Sequence, residues 1–193
     1  MLSDDGLDLL FRNARTQKVW LDRPVPDDLL RRVYDLARLG PTSANCSPMR
    51  VLFLTSREAK ERLRPALNPG NVDKTMQAPV TAIIGHAVDF HDELPRLFPA
   101  ADMRANFVGK PEFAATTAFR NGSLQGAYLM LAARALGLDC GGMSGFDNAK
   151  VDAEFFPEAR VKSNFLCNLG YGDASKLTPR GPRLSFDEVC RII

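Results

Sequence analysis

Two cations and two hydroxyl or amide groups fall within four residues at Arg15-Thr16-Gln17-Lys18. Guanidinium and ammonium groups give charge-assisted hydrogen bonds, so this set suits a phosphate. It is more commonly the basic end of a helix, where cations offset the dipole. A second stretch, Pro41-Thr42-Ser43-Ala44-Asn45-Cys46-Ser47-Pro48, sets short polar groups between prolines. It reads as a ligand-contacting loop or as an ordinary turn, for which these are the usual residues. In Cys140-Gly141-Gly142-Met143-Ser144-Gly145 the glycines suggest a dinucleotide loop, but G-x-G-x-x-G is absent and the run follows a helix. What is left is a turn whose bare N–H groups approach a flat ligand closely. Arg180-Gly181-Pro182-Arg183 reads as solvated charge.

Other chemistries are poorly provided for. The only histidines, His86 and His91, stand five positions apart, would not share a helix face and have no carboxylate cluster around them. A metal site is not expected, and a Ser-His-Asp hydrolase would rest on one of these two. Cys46, Cys140, Cys167 and Cys190 are scattered without C-x-x-C, so no zinc or thioredoxin motif is written; they are expected reduced. With 25 basic against 23 acidic side chains and no basic block, a nucleic-acid partner is not expected. No apolar run approaches the roughly 18 residues of a membrane span. The opening Met1-Leu2-Ser3-Asp4-Asp5-Gly6 is acidic and lacks the regions of a signal peptide, which makes the cytoplasm the expected compartment. A chain of 193 residues, 45% hydrophobic, predicts a single domain over 1–193 with a substantial core.

The elements that must position these residues follow from periodicity. Leu7, Leu10, Phe11 and Ala14 form the stripe of a helix over residues 4–13. A second helix over 27–39 follows Pro26 and stops at Gly40-Pro41. Residues 49–54 read as a strand, and Thr55 with Glu58 has the form of a capping box opening a helix to about residue 67. Asn68-Pro69-Gly70 predicts a turn, 79–85 a buried strand, and 89–110 short helices and a loop able to act as a lid. Residues 112–136 keep a helical period, with small residues allowing close approach and Gly137 as C-cap. A Gly-rich turn, a short helix over 148–155, a third strand over 161–169 and a helix capped by Ser185 and Glu188 complete the chain. The pattern is α+β: a small, mostly antiparallel sheet wrapped by long helices.

Taken together, these stretches resemble the FMN-dependent nitroreductase family over nearly the whole chain. The family's R-R-S-x-R-x-F pattern corresponds to Ala14-Arg15-Thr16-Gln17-Lys18-Val19-Trp20; the first Arg is lost, and Thr, Lys and Trp replace Ser, Arg and Phe. Its P-S-x-x-N-x-Q-P-W loop corresponds to residues 41–49, with Ser47 for Gln and Met49 for Trp. Asn71 and Lys74 match an Asn and Lys three apart, Ser144-Gly145-Phe146-Asp147 matches E-G-F-D, and Arg180-Gly181-Pro182 matches R-x-P. Longer runs, such as Leu-Gly-Leu-Asp-Cys-Gly-Gly-Met-Ser-Gly-Phe-Asp ending at Asp147, resemble the branch that reduces malonic semialdehyde to 3-hydroxypropanoate in pyrimidine degradation.

The resemblance implies an intertwined homodimer with FMN at the subunit interface and NADH or NADPH as co-substrate. It assigns the ribityl phosphate to Arg15, Thr16, Gln17, Lys18 and Arg180, and the pyrimidine edge of the ring to Asn71 and Lys74. Met143, Ser144 and Gly145 would approach N5 through backbone, and Pro41, Thr42, Ser43 and Asn45 would come from the partner chain. Because the flavin carries the hydride chemistry, no His, Cys or Ser nucleophile is needed. The carboxylate of an aldehyde acid would need a cation, for which Arg104 and Arg120 are candidates, although such residues more commonly form an ordinary surface pair. Alternatives are a general nitroaromatic or quinone reductase on the same scaffold, and a non-catalytic FMN-binding dimer.

Overall fold

The computed structural model describes residues 1–193. Four strands, β1 (Met49–Leu54), β2 (Val80–Ala87), β3 (Asp139–Met143) and β4 (Val161–Gly170), form one sheet of order β1-β2-β4-β3, antiparallel throughout. β2 is buried at every position, as a central strand covered on both faces must be. One face carries α2 (Asp27–Ala37) and α6 (Pro111–Ala135), which bury Val33, Ala37, Leu129 and Ala133 against Val80, Ala82 and Ile84. The other carries α3 (Arg57–Leu63) and α7 (Asn148–Phe155), with Leu63 and Val151 against Ile83 and Leu166. The alternation of Ala82, Ile83 and Ile84 between the two cores is the period-two rule of a strand.

Helix α6 is the axis of the molecule. At Gly126 a Cβ would lie 2.6 Å from the Phe165 ring, so glycine there lets the helix settle onto β4. The helix ends before Gly137, whose φ of +81° is the left-handed C-cap read from the sequence. At 25 residues it is the longest helix, and α2 has 11; with the antiparallel sheet they give the α+β architecture expected from the sequence.

Several expectations are corrected. Cys140–Met143 is not a turn but most of strand β3, paired with β4 from Asp139↔Gly170 to Met143↔Leu166. Glycine weakens a strand locally, and here the neighbouring strand supplies the order. Asn68-Pro69-Gly70 does not end in a turn: Pro69 opens α4 (Pro69–Gln77), a first-turn position where its missing N–H costs nothing. The cap of α3 is Ser56, which accepts from Ala59 N–H, rather than Thr55. The first helix is α1 (Asp4–Leu7) followed by a π turn over Asp8–Arg12. Within 89–110, α5 (Leu94–Leu97) and two short 3-10 turns are anchored by Phe90, Leu94 and Phe107 in a separate apolar cluster with Ala114 and Ala118 of α6. The closing helix α8 (Phe186–Val189) carries the expected Ser185/Glu188 capping box.

Candidate functional site

The Arg15–Trp20 stretch lies along the free edge of β3. Thr16 bridges Cys140 in parallel, Gln17 N–H donates to the Cys140 carbonyl at 2.9 Å, and Trp20 bridges Gly172. Side chains then alternate as on a strand: Thr16 and Lys18 face outward, while Gln17 is only 5% exposed. Gln17 packs directly on Gly172, where any Cβ would collide with it. Its side chain is therefore committed to packing, unlike those of its neighbours.

Helix α4 presents Asn71 and Lys74 beside this edge. Asn71 Nδ2 donates to the Gly145 carbonyl at 2.6 Å, and Asn68 N–H donates to the same oxygen at 3.1 Å. The Lys74 carbonyl, unpartnered within its own helix, accepts from Trp20 Nε1 and from Asn168 Nδ2, each at 3.1 Å. Asn168 is fully buried, and its Oδ1 accepts from the Thr81 hydroxyl at 2.8 Å. Lys60, also buried, donates from Nζ to the carbonyls of Met76 and Ala78 and closes the end of the same helix. The Lys74 backbone is thus fixed from the sheet side; partial burial, and then the charge of Lys18, lower the pKa of its ammonium.

Two arginines meet at the end of the first helix. Arg15 Nη1 donates to the carbonyls of Arg12 and Ala14 at 3.2 and 3.3 Å. Arg180 Nη2 donates to those of Phe11, Arg12 and Ala14 at 3.0, 2.7 and 2.7 Å. Arg134 reaches the Leu10 carbonyl at 3.1 Å. Their convergence has a local cause, the carbonyl-rich helix end, which the sequence did not disclose. It leaves the positive charge uncompensated. Desolvation, followed by repulsion from Arg15, Arg183 and Arg134, lowers the Arg180 pKa. None of the molecule's eleven ion pairs involves Arg15, Lys18, Lys74 or Arg180.

The loop 41–48 lies elsewhere. It enters β1 at Met49, opposite His86, whereas Cys140 lies beside Leu169 at the other end and the other edge of the sheet. Three strand intervals of about 4.8 Å separate the two edges by roughly 14 Å. Within the loop Ala44, Asn45 and Ser47 have φ of 49°, 51° and 39°. The left-handed region costs a β-carbon-bearing residue about 1–2 kcal/mol, so the shape must be held. Ser43 N–H donates to Asn121 Oδ1 at 2.8 Å, Met49 N–H to Gln125 Oε1 at 2.9 Å, and Asn45 Nδ2 to the Leu97 carbonyl at 2.9 Å. The sequence reading missed Asn121 and Gln125. Their signal was available: two amides four apart on the otherwise small and apolar buried face of α6.

The structure therefore brings Arg15, Thr16, Lys18, Asn71, Lys74, Met143, Ser144, Gly145 and Arg180 to one edge and leaves Pro41, Thr42, Ser43 and Asn45 at the opposite corner. Arg104 is held by Asp92 at 2.9 Å, and Arg120 lies on the exposed face of α6 without a carboxylate partner. No helix is long and apolar enough to cross a membrane.

Comparison with known proteins assigns this arrangement to a family. The nitroreductase family model matches residues 11–171, and the chain belongs to that family. A protein of Polynucleobacter asymbioticus, named "putative NADH dehydrogenase/NAD(P)H nitroreductase", is 59% identical over 193 residues, covering 100% of this chain and 98% of its own. A like-named protein of Stenotrophomonas maltophilia is 63% identical over 187 residues, 97% of this chain and 95% of its own. Among solved structures, a nitroreductase-family protein of Streptococcus pneumoniae superimposes with a TM-score of 0.83 at 22% identity over 95% of this chain and 98% of its own. One of Exiguobacterium sibiricum, solved with FMN, gives 0.86 at 17% identity over 100% and 99%. At these identities the structural likeness establishes the fold.

Proposed function

We propose that the chain is an FMN-dependent NAD(P)H oxidoreductase, active as a homodimer, whose acceptor is malonic semialdehyde, reduced to 3-hydroxypropanoate. The observation that carries the flavin assignment is the edge of β3, where Arg15, Lys18, Lys74 and Arg180 stand without carboxylate partners. A phosphate supplies the missing countercharge to Arg15, Lys18 and Arg180, with Thr16 adding a hydroxyl. Asn71 and Lys74 face the pyrimidine edge of the ring, where the ammonium offsets negative charge in the manner of an oxyanion hole. Met143, Ser144 and Gly145, at the end of β3, lie along the ring through backbone. Bound FMN supplies the redox chemistry, taking a hydride from NADH or NADPH and giving it to the acceptor.

Two features support the homodimer. Phe113, Leu124 and Tyr128 are exposed on α6 beside Leu39, an apolar face that a second copy would cover. The loop 41–48 lies too far from Lys74 to serve the same flavin, so a second copy would contribute it. Of the two cations considered for the acceptor's carboxylate, Arg120 is free and Arg104 already has a partner in Asp92.

The names of the relatives favour a second reading, a reductase of nitroaromatics and quinones. The two are separated by kcat/KM of the purified protein, with NADH and NADPH, for malonic semialdehyde, menadione and nitrofurazone. The aldehyde is expected to be preferred; a value a hundredfold below that for the quinone would transfer the assignment to the general reductase. A colourless protein that gains no flavin absorbance on addition of FMN would end both.

A further inference from the structure

We propose that Arg50 is a positioning residue that holds the loop 41–48 in its left-handed shape, the shape in which it meets the flavin of a second copy; this rests on the FMN reading above. The hydrogen bonds internal to the loop, from Asn45 N–H to the Thr42 carbonyl, from Cys46 N–H to the Ser43 carbonyl and from Ser47 N–H to Thr42 Oγ1 at 3.1 Å, do not engage the Ser47 carbonyl. Arg50 does. Its Nη1 reaches the carbonyls of Ser47, Pro48 and Met49 at 3.2, 3.3 and 3.0 Å. Successive carbonyls of an extended chain point to opposite sides, so three of them meet at one nitrogen only where the chain is kinked. The kink is at Ser47, with φ of 39°.

The guanidinium has no other charged duty. Arg50 takes part in none of the ion pairs, although Asp27, Asp35 and Glu93 line the same groove of about 1190 Å³. On the far side of the loop, Asn121 and Gln125 hold the N–H groups of Ser43 and Met49. The loop is therefore clamped between donors on β1 and acceptors on α6, its N–H groups taken by one and its carbonyls by the other.

The test is the affinity of the purified dimer for FMN and for riboflavin. Arg50→Met keeps the apolar stem and removes the donors; it is expected to weaken both flavins about tenfold, because the loop meets the ring and not the phosphate. Adding Ser47→Gly, which accepts positive φ without a Cβ clash, is expected to return both affinities to within about threefold of wild type. Arg50→Lys retains the charge without the planar fork, is expected to fall between the two, and serves if the Met variant does not fold. Unchanged affinities in the Arg50 variants, or a loss that glycine does not recover, would overturn the proposal while the flavin assignment stands. A wild-type protein that binds neither flavin would instead remove the reading on which it rests.

Discussion

The two corners of the sheet are built by different means. At the β3 edge the backbone is relaxed and regular: Thr16 and Gln17 extend a strand, Lys74 sits on a helix, and what is unusual is charge without partners. At the β1 edge it is the backbone that is unusual, with Ala44, Asn45 and Ser47 in a conformation side chains avoid. The first corner suits a group that is highly charged and tolerant of geometry, such as a phosphate. The second suits a surface that is uncharged and demanding of shape, such as the flat ring. Charge acts over several ångströms and needs no exact contact, whereas shape must be built and clamped.

That contrast can be broken most sharply at the arginines. Arg15→Ala or Arg180→Ala is expected to weaken FMN roughly 10- to 150-fold and to change riboflavin less than about threefold, measured by titration of the apoprotein. Equal losses for the two flavins would mean that these side chains support the helix end they both cap, and that the charged corner is not the phosphate site. A smaller effect is expected at Lys74. Its lowered pKa means that it loses its proton at a lower pH than an ordinary lysine, near 10.4. FMN affinity should therefore begin to fall, as pH rises, before the ordinary lysine range, and Lys74→Arg should abolish that fall. Stability moves the other way. The folded state binds fewer protons at this site than the unfolded chain, so the cost of holding Lys74 charged is relieved as pH rises through the lowered value. Coincident pH profiles for wild type and Lys74→Arg would separate Lys74 from the flavin. The smallest effect belongs to Arg104. Its pair with Asp92 is nearly half exposed on both sides, so Arg104→Ala should change unfolding free energy by less than about 1 kcal/mol in urea titration and leave both flavin affinities intact.

What the sequence disclosed of the two corners differs for the same reason. Cations are legible as residue types, and Arg15, Lys18, Lys74 and Arg180 all stand without carboxylate partners in the fold. Periodic elements were also legible: α7 has the bounds expected of it, and α6 ends at the glycine expected to end it. The shape corner was not. Asn121 and Gln125 act through backbone groups of residues more than seventy positions away, and positive φ at Ala44 and Ser47 contradicts local preference. Strand β3 failed for a related reason, since two of its five residues are glycine and its order comes from β4. Trp20 and Asn168 were likewise silent; only the assembled fold shows both delivering a donor to the Lys74 carbonyl.

The bridge between Thr16 and Cys140 has a consequence for when this molecule becomes competent. Residues 16 and 21 find their partners at 140 and 171, so the cationic edge is made of contacts that span most of the polypeptide. Such contacts bear a large loop-closure entropy and form slowly. During synthesis the first helix leaves the ribosome long before β3 and β4 exist to receive the segment behind it. The cationic edge is accordingly among the last parts of the chain to be completed. A ligand captured there would select finished molecules over partly folded ones and, by mass action, draw the folding equilibrium toward them.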